Sequence, residues 1–327
     1  MAKDHIIINN SFMLCLNLNT TNPYFNLAVD EYLLKNKQNE YLILGINSPS
    51  VIIGKHQVAH READTRFIYE KAIPVIRRIS GGGTVYHDFG NLNFTFILNS
   101  SKGRQVDFRK YTLPVIEFLA TLGIRAEFEG KNDLKVNGLK ISGNAEHIHR
   151  EKVLHHGTLL FSTLLDDLKG SLRKDRSNYS TKAVDSNPSP VMNIKEIAGN
   201  VNGIIDFRKR MLEFFLGQKG NSLAELNNED KAEIQSLEKS KYRTWDWNYA
   251  YGPDYYFINK FEFNGKKHFC RLFVKGGIIH ECEMEGSGEM IDVSRKLVSC
   301  RHMVKDMIEV FKKEDFKITG SVIYKFF

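Results

Sequence analysis

The sequence predicts an α+β protein in two parts, a large domain over residues 1–247 and a small α/β module over 248–327. Three observations predict it. Helical and strand-like patterns interleave through the first part. Composition then changes at Tyr242-Arg243-Thr244-Trp245-Asp246-Trp247-Asn248, and the turn-rich stretch 249–254 reads as a linker. Finally, 327 residues that are 42% hydrophobic and 11% aromatic hold ample material for a packed core, and the length suggests about two domains.

Asn22-Pro23 followed by an apolar run to Leu34 reads as a capped helix with proline in its first turn. Two apolar runs, 41–46 and 50–54, flank Asn47-Ser48-Pro49 and predict a strand pair. A helix over 64–72 leads into a strand over 74–79, and a short strand over 84–86 follows the glycines. Leu92, Phe94, Phe96 and Leu98 alternate with Asn91, Asn93, Thr95, Ile97 and Asn99, the period of a half-buried strand. A helix is expected over 104–122, with Pro114 near a break.

Asn137-Gly138 between alternating residues is a strong hairpin signal, and a two-residue turn sets the register. It pairs Val136 with Leu139, Lys135 with Lys140, Leu134 with Ile141 and Asp133 with Ser142. The four apolar side chains then share one face, and Asp133, Lys135, Lys140 and Ser142 share the other. Two lysines directly opposite repel unless solvent or an anion lies between them, so that face is either a solvated exterior or a seat for a negative ligand.

A strand over 155–162 and a helix over 164–172 come next. Residues 173–193, with Pro188 and Pro190 and few apolar anchors, read as a long loop that orders over a bound ligand. Helices near 205–216 and 222–241 close the large domain. In the module, strands over 257–263, 268–275 and Ile278–Glu285 are separated by Asn264-Gly265 and Gly276-Gly277 and covered by a helix over 294–313.

The segment Arg77-Arg78-Ile79-Ser80-Gly81-Gly82-Gly83-Thr84-Val85-Tyr86-His87-Asp88-Phe89-Gly90-Asn91 has the build of an anion site. Glycines let backbone N–H groups approach a ligand, and arginine supplies a fork matched to phosphate or carboxylate. The formal charge of +7 favours anionic partners, but basic and acidic residues are interspersed. Cys15, Cys270, Cys282 and Cys300 are far apart with no CxxC pairing, so they read as reduced and structural. The apolar run in residues 1–10 is too short for a secretory signal, and no stretch approaches the ~18 residues of a membrane span, which makes the cytoplasm the expected location.

Several chemistries lack their signature. His147, His149, His155 and His156 show no HExxH spacing and no neighbouring cysteine, which argues against a transition-metal site and leaves any metal ligands unknown. GxSxG, GxxxxGK[ST] and GxGxxG are all missing. There is no basic stripe with interleaved aromatics of a nucleic-acid binder.

RRISGGGTVYHDFGNLNFTF, then KNDLKVNGLKISGNA, then HHGTLLFS, in this order and spacing, resemble the lipoate-protein ligase family. TNPYFNLAVDEYLL and YRTWDWN are similar to that family too, so the resemblance spans nearly the whole chain. It implies a large mixed-sheet catalytic domain of the biotin/lipoate ligase type with a small α/β accessory domain. It also implies that Arg78 contacts the nucleotide, that the backbone of Gly83, Thr84, Val85 and Tyr86 lines it, and that Lys140 meets the lipoate carboxyl and the α-phosphate. Ser80, Gly82, His87, Asn91, Asp133, Gly143, Ala145, His156 and Gly157 occupy motif positions without assigned individual roles.

The reaction implied by the resemblance uses lipoate, ATP and Mg²⁺. Lipoate is activated to lipoyl-AMP, and the lipoyl group passes to a lysine of acceptor lipoyl domains of 2-oxoacid dehydrogenases or of the glycine cleavage H protein. A lipoyltransferase fed with preformed lipoyl-AMP carries similar motifs. A cysteine-dependent octanoyltransferase needs a thiol at the pocket, and none of the three motifs contains a cysteine.

Overall fold

Asn22 opens the first helix by accepting hydrogen bonds from the backbone N–H groups of Tyr24 and Phe25, with Pro23 at the first helical position. The computed structural model describes residues 12–100, 107–130, 132–316, 318 and 320–327. The apolar run at 1–10, the expected helix start at 104 and Lys131 lie outside the described residues. In chain order the first part comprises β1 (Met13–Asn17), α1 (Pro23–Asn36), β2 (Glu40–Ile46), β3 (Ser50–Ile53), α2 (Ala59–Glu62), α3 (Thr65–Glu70), β4 (Val75–Arg77), β5 (Val85–His87) and β6 (Asn91–Asn99). It continues through α4 (Phe108–Thr121), β7 (Glu127–Glu129), β8 (Asp133–Val136), β9 (Leu139–His149), β10 (Lys152–Leu160), α5 (Leu165–Ser171), β11 (Tyr179–Thr181), α6 (Ile204–Leu216), β12 (Ser222–Ala224) and α7 (Asn228–Leu237). The C-terminal part holds β13 (Tyr255–Phe263), β14 (Lys266–Lys275), β15 (Ile278–Glu285), α8 (Gly288–Arg295) and α9 (Val304–Lys313).

Eight strands form one mixed sheet in the order β12-β1-β2-β6-β10-β9-β8-β7. Both partners of β1 run parallel to it, and the other pairs are antiparallel. One face packs on α4 and α6 through Val115, Phe118, Phe207 and Phe215. The other is covered by α1 and by a second, three-stranded sheet, β4-β3-β5, with Leu27, Leu33, Ile43, Ile52 and Ile76 in the seam. The third sheet, β11-β13-β14-β15, packs against α8 and α9 around Phe257, Leu272, Met307 and Phe311.

Several expected elements differ. The runs 41–46 and 50–54 do not pair: β2 joins the large sheet and β3 the three-stranded one. Every residue of both strands is buried, and Asn47 between them bonds Asn26 and His87, so the chain crosses between sheets instead of turning back. Pro114 sits inside α4 without ending it, because the burial of Tyr111, Val115, Phe118 and Leu119 outweighs the one lost backbone bond. The stretch 222–241 begins as β12, which satisfies the outer edge of β1, and becomes helical only at the Asn227 cap. The helix expected over 294–313 is two helices, separated where Arg301 bridges Ile278 and Ser299 adopts φ 71°.

Residues 173–193 are built into the fold. β11 extends the C-terminal sheet by pairing with β13, so this segment of the first part shares the second core. The residues that lead into the expected linker are likewise packed. Trp247 and Asn248 lie in the helical turn Asp246–Ala250 and exchange bonds with Arg77: Arg77 Nε donates to the Trp247 carbonyl at 2.9 Å, and Trp247 Nε1 to the Arg77 carbonyl at 2.7 Å. Among the described residues no helix is long and apolar enough to cross a membrane.

Candidate active site

Strand register places the floor of the site. Ile43, Thr95, His156 and Ala145 fall in one row across β2, β6, β10 and β9, and Gly45, Asn93 and Thr158 in the next. Over these rows lie α1, contributing Leu27 and Asp30, and the glycine segment between β4 and β5. The space between is a cleft of about 670 Å³. Leu18, Leu27, Ile43, Ile52, Phe94 and Phe108 give it apolar walls, a role that the sequence motifs did not assign to any of them.

Lys140 enters the cleft because the hairpin is irregular. The first two pairs form as expected, but Leu134 then faces Ser142 and Asp133 faces Gly143, with Ile141 as the extra residue of a bulge. Three apolar side chains, Leu134, Val136 and Ile141, are buried, while Leu139 at the turn is 37% exposed. The bulge turns Gly143 to the side of Lys140: a Cβ at 143 would lie 3.1 Å from both Lys140 Cε and Nζ. The lysines do not face each other unshielded. Lys140 Nζ pairs with Asp133 at 2.8 Å and Lys135 with Glu129 at 2.6 Å.

Arg78 lines the cleft, but its donors hold the glycine loop in shape. Nε donates to Ser80 Oγ at 2.9 Å, Nη1 to the Ile52 carbonyl, and Nη2 to the carbonyls of Gly81 and Gly83 at 2.6 and 2.7 Å. With those carbonyls turned onto the guanidinium, the N–H groups of Gly82 and Gly83 can face a ligand, while that of Thr84 is held by Ser186. Burial pulls the Arg78 pKa down to about 10, still far above neutrality. Gly82 adopts φ +86°, and its carbonyl lies 2.1 Å from where a Cβ on Gly54 would be, so both positions require glycine. Arg77 points the other way and bonds the carbonyls of Gly54, Lys55, Gln57, Trp247 and Asn248.

A hydrogen-bonded chain links the loop to α1. His156 Nδ1 lies 3.2 Å from Asp30 Oδ2, and Nε2 lies 2.6 Å from Ser80 Oγ. A carboxylate only accepts, so in the neutral ring Nδ1 carries the proton and Ser80 donates to Nε2. His87 is buried. Asn47 donates to its Nδ1 at 2.9 Å, and desolvation, then Arg78 and His156, drive its pKa down to about 3.

Of the residues the motifs nominate, Arg78, Gly82, Gly83, Thr84, Val85, His87, Asp133, Lys140, Gly143, Ala145, His156 and Gly157 line this one cleft. Three do not. Ser80 stands behind the loop between Arg78 and His156. The Tyr86 ring is buried with Val51, Ile53 and Val75, since alternation along β5 turns it to the opposite side from Val85 and His87, although the role implied for Tyr86 is one of its backbone. Asn91 is fully buried and donates to Asn93, whose side chain reaches the cleft in its place.

Residues 184–187, within the loop expected to order over a ligand, line the cleft, and what the sequence reading missed is how they are anchored. Ser186 Oγ accepts from the Thr84 N–H at 2.8 Å and donates to Glu62 Oε2 at 2.5 Å, and Gln57 Oε1 accepts from Thr84 Oγ1 at 2.9 Å. Glu62 is fully buried: burial raises its pKa against the lowering by Ser186, Arg176 and Arg61. Pro188, Pro190 and low apolar content concealed this, because the anchoring is polar and long-range.

The profile of the lipoyl protein ligase A/B catalytic domain matches residues 22–216. The chain belongs to the lipoate-protein ligase family. It is 36% identical over 305 residues to lipoate–protein ligase 1 of Staphylococcus aureus, covering 91% of this chain and 93% of that protein. It is also 36% identical over 311 residues to a lipoate-protein ligase of Bacillus subtilis, with coverage of 90% and 92%. A lipoate-protein ligase A crystal structure with bound ATP superposes with a TM-score of 0.61 at 27% identity, over 72% of this chain and 98% of that one. A putative lipoate protein ligase of Thermoplasma acidophilum with bound lipoic acid gives the same score and identity over 72% and 99%. The large mixed sheet is therefore the family's α+β catalytic fold, and the protein is an ATP-dependent ligase.

Proposed function

We propose that this chain activates lipoate with ATP to lipoyl-AMP and transfers the lipoyl group to a lysine of an acceptor domain, either a lipoyl domain of a 2-oxoacid dehydrogenase or the glycine cleavage H protein. The observation that carries this reading is the shared cleft: apolar walls for an acyl chain, a glycine loop for phosphates and the Lys140-bearing hairpin all line one cavity. We take 1–247 as the catalytic domain and 248–327 as the accessory one.

In the first step the lipoate carboxylate attacks the α-phosphorus and pyrophosphate departs; in the second the acceptor amine attacks the carbonyl and AMP departs. Neither step uses an enzyme nucleophile. Lys140 Nζ stabilises negative charge where carboxylate and phosphate meet, and loop N–H groups held by Arg78 bind phosphate oxygens. The apolar walls orient the acyl chain and keep water from the mixed anhydride. None of the four cysteines lines the cleft, and burial raises the Cys15 pKa to about 11, so a thioester route has no candidate thiol.

Among the described residues no group of three or more His, Cys, Asp or Glu could enclose a metal ion. Mg²⁺ held mainly by substrate phosphates needs only one or two carboxylates, and Asp133 beside Lys140 fits that role. When bound, the ion supplies charge neutralisation at the phosphates. The reading predicts lipoate-dependent exchange of radiolabelled pyrophosphate into ATP, followed by mass gain of an unmodified lipoyl domain. Modification from supplied lipoyl-AMP with no exchange would reduce the activity to transfer alone.

A further inference from the structure

Beyond the cleft, β9 continues on the same face from Ala145 to His147 and His149, since side chains two residues apart share a face. Three lysines from three other elements gather there. Lys35 stands on α1 one turn after Glu31, Lys55 follows the Gly54 that abuts the glycine loop, and Lys241 comes from the helical turn after α7. The ring of His147 registers this concentration of charge: burial first, then Lys55, His149 and Lys35, push its pKa down to about 4, with Glu31 opposing. Glu31 accepts from Lys35 at 2.6 Å and from Lys241 at 2.7 Å. One carboxylate thus serves two lysines. The Lys35 side chain is 42% exposed, and Lys55, His147 and His149 are half-buried.

We infer that this basic lip is the docking surface for the acceptor domain, and that it fits an acidic face next to the acceptor's target lysine. The inference rests on the function proposed above. Two observations select the occupant. The lip is continuous with the cleft: Lys55 N–H bonds the Ser80 carbonyl at 2.9 Å, and His147 is two residues from Ala145. A domain that inserts a lysine into the cleft must rest on its rim. Surplus positive charge then attracts negative surface and orients the encounter, which acts mainly on the association rate. A solved structure similar to this chain, with a TM-score of 0.62 at 26% identity, comes from a structural study of a bipartite lipoate protein ligase and its E2 lipoyl domain.

The test uses the full chain with an unmodified lipoyl domain of a 2-oxoacid dehydrogenase and reads the two half-reactions separately. Lys35→Glu/Lys55→Glu is expected to raise the KM for the acceptor roughly tenfold and to flatten its salt dependence. Lipoate-dependent pyrophosphate exchange should keep its KM for ATP and its rate. An unchanged acceptor KM in a variant with wild-type circular dichroism overturns the proposal. A raised KM for ATP in the exchange reaction also overturns it, because the lysines then serve the polyphosphate. Absence of exchange in the wild type would instead defeat the proposed function, so the two failures are distinguishable.

Discussion

Gly143→Ala displaces the tip of Lys140 without removing its charge. The added methyl would stand 3.1 Å from both Cε and Nζ, whereas carbon atoms rest comfortably at ~3.5–4.0 Å, so the ammonium must retreat by roughly half an ångström. The 2.8 Å contact with Asp133 then stretches to the edge of hydrogen-bonding range. A misplacement of ~1 Å at a reacting centre costs about 100-fold, so half of that predicts about a tenfold slower adenylation, near 1.4 kcal/mol. Stability should change by under about 1 kcal/mol, because an ion pair with side chains about one-fifth exposed contributes little and no core atom is crowded. Pre-steady-state pyrophosphate release measures the step, and urea unfolding checks the fold. Full-rate release from a folded variant would refute the placement of Nζ at the reacting carboxylate.

At Gly157 the same substitution should act on stability instead. A Cβ there would lie 2.2 Å from Asn144 Oδ1 and 2.5 Å from the Phe94 ring, both in packed surroundings, and a loss of roughly 1–3 kcal/mol is expected in denaturant titration. Arg77→Lys leaves most of five buried carbonyls without a partner, so unfolding at a midpoint well below that of wild type is expected, by 3 kcal/mol or thereabouts. Acid should destabilise the protein. Burial lowers the pKa of His87 to about 3 and of His302 to about 4, below the ~6.5 of the unfolded chain. The unfolded state therefore binds more protons in between: stability is complete above about pH 6.5 and declines toward pH 4, by up to about 1.4 kcal/mol per pH unit for each ring. Urea midpoints that stay constant from pH 7 to 4.5 would contradict this.

Local chemistry was legible where it is encoded by adjacent residues. Asn22-Pro23 marked α1, alternation marked β6, and Asn137-Gly138 placed Lys135 opposite Lys140. Relations between distant segments were not. The bulge at Ile141 depends on Ser142 and Gly143 fitting against β8, and the assignment of β2 and β3 to different sheets depends on which edges are already occupied. The resemblance nominates Arg78 as a nucleotide contact, whereas in the fold its Nη2 donors turn inward onto the carbonyls of Gly81 and Gly83, a relation that no motif spells out. Ser80 and Asn91 hydrogen-bond the cleft-lining Arg78 and Asn93 beside them, and the Tyr86 ring packs in the core. Glu62, Gln57 and Ser186 went unread because buried polar networks carry no sequence period.

The most direct test of the central claim is pyrophosphate exchange by Lys140→Ala. Its stability should stay within about 1 kcal/mol of wild type, since the partner left behind, Asp133, retains access to water at 20% side-chain exposure. Exchange should fall by roughly 100- to 1,000-fold. Near-normal exchange from this folded variant would contradict the account.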